Sequence, residues 1–271
     1  MKKILLLASS ILLLASGGFA DERYFTYSYE SSVLSQGEFE LEQWVTNQNG
    51  KQDGSYSQWN YRTELEYGVT DRYTTALYVN VNSTHSVGVT DVDNNTSVEF
   101  KGFSWENIYQ LSNPHLDAIG SALYLEYSTD SDDHELEGKV LLSKVLENGL
   151  NIVFNSVYEM EWEYEDEEEG DKYEKEATIE FTGGASYKLS PAWAVGLESV
   201  YVAAYPDGFD LQGREYQAVY VGPNVHYGAP SWWATLTFMP QVWGDGDGAS
   251  GGRQLVHQEK MEIRLIVGYV F

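Results

Sequence analysis

The chain has 271 residues, no cysteine, and 42 acidic against 16 basic side chains, a formal net charge of −26. The missing cysteine excludes disulfides, thiolate metal sites and a cysteine-borne lipid anchor, and so acidic a surface repels nucleic acid. No stretch beyond the N-terminus holds 18 consecutive apolar residues, which excludes a helical membrane protein; aromatic residues nonetheless make up 14% of the chain, a combination found in membrane barrels.

Residues 1–20 read as a secretory signal peptide: Lys2 and Lys3 open it, Ile4 to Leu14 is apolar, and Gly18 and Ala20 are the small residues before a cut ahead of Asp21. Residues 21–36 carry Tyr24, Phe25, Tyr27 and Tyr29, then a serine-rich step to Gly37. They are expected to form a periplasmic lead-in or a plug inside a barrel. From 37 to 271 the pattern has a period of two, which gives a strand one apolar and one polar face.

The first strand, about 37–46, sets Phe39, Leu41 and Val45 against Glu38, Glu40 and Glu42. The second, about 55–69, sets Trp59, Tyr61, Leu65 and Tyr67 against Asn60, Arg62, Glu64 and Glu66. Leu77 and Val79 oppose Tyr78 and Asn80 in the third, and Phe103, Trp105 and Tyr109 oppose Ser104, Glu106 and Ile108 in the fourth. After a tight break at Asn113-Pro114, the fifth strand opposes Leu123, Leu125 and Tyr127 to Tyr124 and Glu126. The sixth opposes Leu136, Val140 and Leu142 to Glu135, Glu137 and Lys139. Asn148-Gly149 supplies a hairpin turn into a seventh strand, with Ile152, Phe154 and Tyr158 against Asn155 and Glu159. Strands eight to eleven carry Ile179 and Phe181, Val195 and Leu197, Val219 and Val221, and Leu236 and Phe238, with a bulge expected at Gly222-Pro223. The twelfth is read as Gln254 to Phe271, with Ile263, Leu265, Val267 and Tyr269 alternating against Glu262, Arg264 and Gly268.

The connections near 50, 90, 131, 168, 210 and 248 are rich in Asp, Asn, Gly or Glu and mostly long, whereas those near 70, 113, 148, 190 and 230 are short. This predicts an all-β chain: a single antiparallel transmembrane barrel of about twelve strands, with short periplasmic turns and longer extracellular loops. Its polar face would line a lumen with Glu38, Glu40, Glu42, Arg62, Glu64, Glu66, Glu106, Glu126, Glu159, Glu176, Glu180, Glu198, Lys260, Glu262 and Arg264. Such a lining favours cations or neutral polar solutes if water fills the pore; if the carboxylates pair with the three basic residues, they merely hydrate a closed interior.

No cofactor or metal is expected. The acidic run Glu161 to Asp171 reads as a solvated loop, and Asp245-Gly246-Asp247-Gly248 lacks the distal bidentate acid of a calcium loop. Of the five histidines only His85 has an adjacent serine, Ser86, without an evident orienting acid, so no barrel hydrolase is predicted.

The sequence Ser35-Gln36-Gly37-Glu38-Phe39-Glu40-Leu41-Glu42, the turn Tyr67-Gly68-Val69-Thr70-Asp71, the step Tyr220-Val221-Gly222-Pro223 and the ending Tyr269-Val270-Phe271 resemble a proteobacterial family of outer-membrane barrel transporters, the one named for the phenol-degradation meta-pathway. The resemblance implies a pore or transporter for small molecules and brings no catalytic residues. The expectation is a passive channel in a Gram-negative outer membrane, surrounded by lipid and lipopolysaccharide, with Phe271 read by the barrel-assembly machinery. A closed barrel with a structural or surface-binding role is the alternative.

Overall fold

The structure is a computed structural model that describes residues 22–90, 92, 94–130, 133–164, 173–206, 208 and 213–271. The signal-peptide region and most of the acidic run at 161–171 lie outside the described residues.

Twelve strands follow one another: β1 (Phe39–Asn49), β2 (Ser55–Thr70), β3 (Tyr73–Val87), β4 (Asn95–Ser112), β5 (Gly120–Thr129), β6 (Asp133–Val145), β7 (Leu150–Tyr164), β8 (Tyr173–Lys188), β9 (Trp193–Tyr205), β10 (Tyr216–Gly228), β11 (Trp232–Gly246) and β12 (Met261–Val270). Each pairs antiparallel with the next and β12 pairs back onto β1, so the barrel closes and leaves no edge unpaired. Phe271 finishes the seam: its amide and carbonyl exchange hydrogen bonds with Phe39, and the two rings stack with centroids 5.9 Å apart.

The period-two pattern folds inside out relative to a soluble barrel. Leu77 is 64% exposed, whereas Tyr78 beside it is 1% exposed and points inward. Leu65, Phe103, Leu125 and Leu197 are likewise outside, and Glu40, Glu42, Glu64 and Glu106 are buried within. An apolar coat this extensive is unfavourable in water and stable against acyl chains. Replacing Leu77 with Arg is therefore expected to cost about 2–4 kcal/mol near the bilayer midplane, and Asn80→Arg, on the opposite face, far less. Denaturant titration in lipid vesicles measures both; equal losses would contradict this orientation of the faces.

Alternate connections gather on two rims. One holds the links 71–72, 146–149, 189–192 and 229–231; the other is where β1 meets β2, β3 meets β4, β7 meets β8, β9 meets β10 and β11 meets β12. Two connections differ from the sequence expectation. The link at 130–132 spans three residues because Asp130 and Asp133 bond to each other through main chain and carboxylate, with Lys101 3.4 Å from Asp130. The link at 113–119 is no tight break: Asn113 accepts from the amides of His115 and Leu116, Asp117 closes back on the Asn113 amide, and Val145 donates to Pro114.

The last strand is also shorter than predicted, beginning at Met261 rather than Gln254. Gln254 is buried and exchanges two hydrogen bonds with the Gln241 amide, 2.7 and 2.8 Å, which satisfies its backbone without a neighbouring strand. The expected bulge lies at Val219/Tyr220 against β11 instead of at Gly222-Pro223, and the β9 register runs unbroken through Pro223.

Loops on the long rim are tied together. Asp53 accepts from the Thr90 amide at 2.9 Å and from its hydroxyl, bonds that hold its carboxyl below the usual carboxylate range. Lys51 lies 2.8 Å from Glu259, whose carboxyl burial pushes up while the lysine opposes the rise.

Candidate pore interior

The lead-in, residues 22–36, forms no strand, yet its backbone is bonded across the lumen to side chains of the wall. Glu198 on β9 accepts the amides of Thr26, Tyr27 and Ser28 at 2.9–3.1 Å, with Thr237 on β11 adding a hydroxyl at 2.6 Å. Asn155 on β7 both accepts from the Tyr29 amide and donates to its carbonyl. Asn224 on β10 donates to the Tyr24 carbonyl, Arg264 on β12 to that of Thr26 and Gln110 on β4 to that of Ser31. Ser31 meets Ser143 on β6, hydroxyl to hydroxyl, at 2.7 Å, and Thr74 on β3 accepts from the Leu34 amide. A segment without a ladder of its own thus has much of its backbone bonded from all around the barrel, while the Tyr27 and Ser28 hydroxyls find no hydrogen-bond partner among the described residues.

Apolar contacts follow the same path. Phe25 and Leu34 are buried, and burial of each side chain is worth about 1.5–3 kcal/mol. Tyr29 packs with Trp44, Ile108, Tyr124 and Trp233, and Tyr27 with Val200, Val202, Tyr220 and Met239. Gly184 provides the space for Phe25: a Cβ there would stand 2.6 Å from the ring.

Above and beside the lead-in the wall is acidic in an ordered way. The strand registers place Glu40 opposite Glu66, Glu66 opposite Ala76, Ala76 opposite Glu106, Glu106 opposite Glu126, Glu126 opposite Glu137, and Glu137 opposite Glu159. Six glutamates therefore share one row of cross-strand partners from β1 to β7, where like charges destabilise unless screened or neutralised. Cations stand against it: Arg62 lies 3.7 Å from Glu126, and Lys139 2.8 Å from Glu137. These two cations and Arg264 sit on aromatic faces, Lys139 4.2 Å from the Tyr29 ring centroid and 4.1 Å from that of Tyr124, Arg62 4.5 Å from Tyr78, and Arg264 4.1 Å from Tyr27.

Toward the long-loop rim the lumen opens into two cavities of about 390 and 360 Å³. Trp44, Arg62, Glu135 and Arg264 line both, and Tyr27 and Tyr29 of the lead-in line the second. The second carries Glu126, Glu135, Glu137, Glu159, Glu180 and Glu262 against Arg62, Lys139 and Arg264.

Of the lumen residues expected from sequence, Glu40, Glu42, Glu64, Glu66, Glu106, Glu126 and Glu198 are buried inside the wall. Arg62, Glu126, Glu159, Glu180, Glu262 and Arg264 line the second cavity. Glu38 lies before β1 and accepts from Ser35, Lys260 precedes β12 at the long rim beside Gly50, and Glu176 is partly exposed near the start of β8. Reading the sequence missed Arg23 and Trp44, and it put Tyr27 and Tyr29 in the lead-in without assigning them a place in the lining. It placed Glu135, Glu137 and Lys139 on a polar face without assigning them to the lumen. His85 Nδ1 meets the Thr96 hydroxyl at 3.0 Å, while Ser86 accepts from the Asn95 amide, so the neighbouring histidine and serine are engaged elsewhere.

A closed twelve-stranded barrel, apolar outside and charged inside, defines a transmembrane β-barrel protein. The chain belongs to the family of unknown function DUF6662, whose model matches residues 18–271; the match carries that family's name and not that of the phenol-degradation family. No curated protein matches the chain. Among solved structures it is similar to the COG4313 outer membrane channel from Pseudomonas putida F1, at a TM-score of 0.62 and 10% identity over 91% of this chain and 100% of that one. It is also similar to the NanC porin, at 0.54 and 14% over 84% and 98%. At these identities the likeness is one of fold.

Proposed function

We propose that the protein is an outer-membrane channel for small polar solutes, cationic or neutral, whose periplasmic half is closed by the lead-in. The observation that carries this reading is the division of the lumen: two charged cavities on the long-loop side, the second floored by Tyr27 and Tyr29, and below them a lead-in whose backbone is bonded to the wall. The fold likeness to an outer membrane channel and a porin agrees with it. Short turns face the periplasm, lipid and lipopolysaccharide contact the apolar coat, and the seam residue Phe271 is the signal offered to the assembly machinery. Passage requires the lead-in to shift; the barrel itself performs no catalysis.

Selectivity comes from the carboxylates of the second cavity, which outnumber its three cations and attract positive charge. Changing Glu135, Glu159 and Glu180 together to Gln keeps size and hydrogen bonding while removing three charges. Reversal potentials across a salt gradient in planar bilayers are expected to show cation preference in the wild type and a marked loss of it in the triple variant. The preference should also weaken as salt shortens the screening length. An open pore whose selectivity ignores the substitutions would contradict the assignment of these glutamates to the conducting path.

A further inference from the structure

We propose that Glu42, Glu64 and Glu66, at the periplasmic end of the lumen, form a binding site for a divalent cation such as calcium. Glu42 and Glu64 are direct cross-strand partners on β1 and β2, and Glu66 lies two residues beyond Glu64 on the same face. One carboxylate oxygen from each falls within 4.8 Å of the others, a span that allows one ion to approach all three at about the 2.3–2.6 Å of calcium–oxygen bonds.

Two further observations call for a cation. Glu64 is fully buried, and among the described residues neither of its carboxylate oxygens has a hydrogen-bond donor; the same holds for Glu42 Oε1. Buried carboxylates in this condition are expensive unless paired or coordinated. A small cavity of about 20 Å³, enough for one water-sized occupant, also lies against Glu42, Glu66 and the neighbouring Glu106. The nearest compensating charge is Arg23 of the lead-in, whose Nη1 lies 3.3 Å from Glu42 Oε2. One guanidinium does not balance this set, and Glu106 is engaged with the Tyr78 hydroxyl. Hard oxygen ligands and high negative charge select calcium or magnesium over softer metals. Ligands drawn from two strands at alternate positions leave no linear motif, so sequence reading finds no metal site here.

Trp44 supplies the readout, because its Nε1 donates to Glu42 Oε2 at 2.6 Å and its indole lies against the site. Terbium, a calcium surrogate, is titrated into the full exported chain folded in detergent and excited through tryptophan. The expected result is a saturable luminescence that calcium displaces, that falls at least tenfold in Glu64→Gln, and that is also lost in Trp44→Phe. Equilibrium dialysis with calcium alone should give one tightly held ion per wild-type chain, retained in Trp44→Phe. Luminescence that persists unchanged in folded Glu64→Gln would belong to the exposed acidic loops and overturn the proposal. Should Glu64→Gln fail to fold, dialysis decides on the wild type, and absence of tightly held calcium there overturns the site.

Discussion

Replacing Glu198 with Ala is expected to release the lead-in from the barrel while leaving the barrel folded. The carboxylate accepts three consecutive amides, those of Thr26, Tyr27 and Ser28, inside a wall where Glu198 is 1% exposed. Alanine offers no acceptor, and a buried amide left without one costs about 1–3 kcal/mol. Three orphaned amides shift the docking equilibrium by at least about 3 kcal/mol, more than about a hundredfold in the population of the released form. The twelve strands keep their ladder, since Glu198 contributes a side chain and not a strand pairing to this contact. Arg23 gives a direct readout, because its carbonyl accepts from Thr235 and its guanidinium is held by Glu42 within the lumen. Trypsin should leave the wild-type chain intact at Arg23 and cut the variant there, as read by mass spectrometry, with barrel resistance to the protease unchanged. Equal protection in both proteins would mean that Glu198 does not hold the segment.

Much of the wall was legible in the sequence because period-two alternation is a local property of a strand. Leu77, Tyr78 and Val79 declare their faces without reference to any neighbour, and the closed barrel follows once every strand does the same. The end of the chain was misjudged because a side chain supplied what a strand would have. Gln241 satisfies the backbone at Gln254, so the chain folds over the rim before β12 starts. The glutamate row was invisible for another reason. Individual acids such as Glu106, Glu126 and Glu159 could be assigned to the inner face, but their alignment depends on the register of six successive pairings. The lead-in was the least legible part. Tyr24, Phe25, Tyr27 and Tyr29 look like half of a strand, and the groups that bind them, Asn155, Glu198 and Asn224 among them, lie more than a hundred residues away in the chain.

The proposed closure of the pore by the lead-in is tested by locking the segment in a chain that has no cysteine of its own. The Ser31 and Ser143 hydroxyl oxygens are 2.7 Å apart, so cysteines at the two positions would face each other across the contact. In planar bilayers the oxidised Ser31→Cys, Ser143→Cys double variant is expected to pass no ions, because the lead-in is fixed to β6. Adding a reductant to the same membrane should restore the wild-type openings, and the Glu198→Ala protein should stay open longer than either. Steady conductance through the oxidised double variant, equal to that of the reduced form, would contradict closure by the lead-in, and silence from the wild type, the reduced form and Glu198→Ala alike would contradict the channel itself.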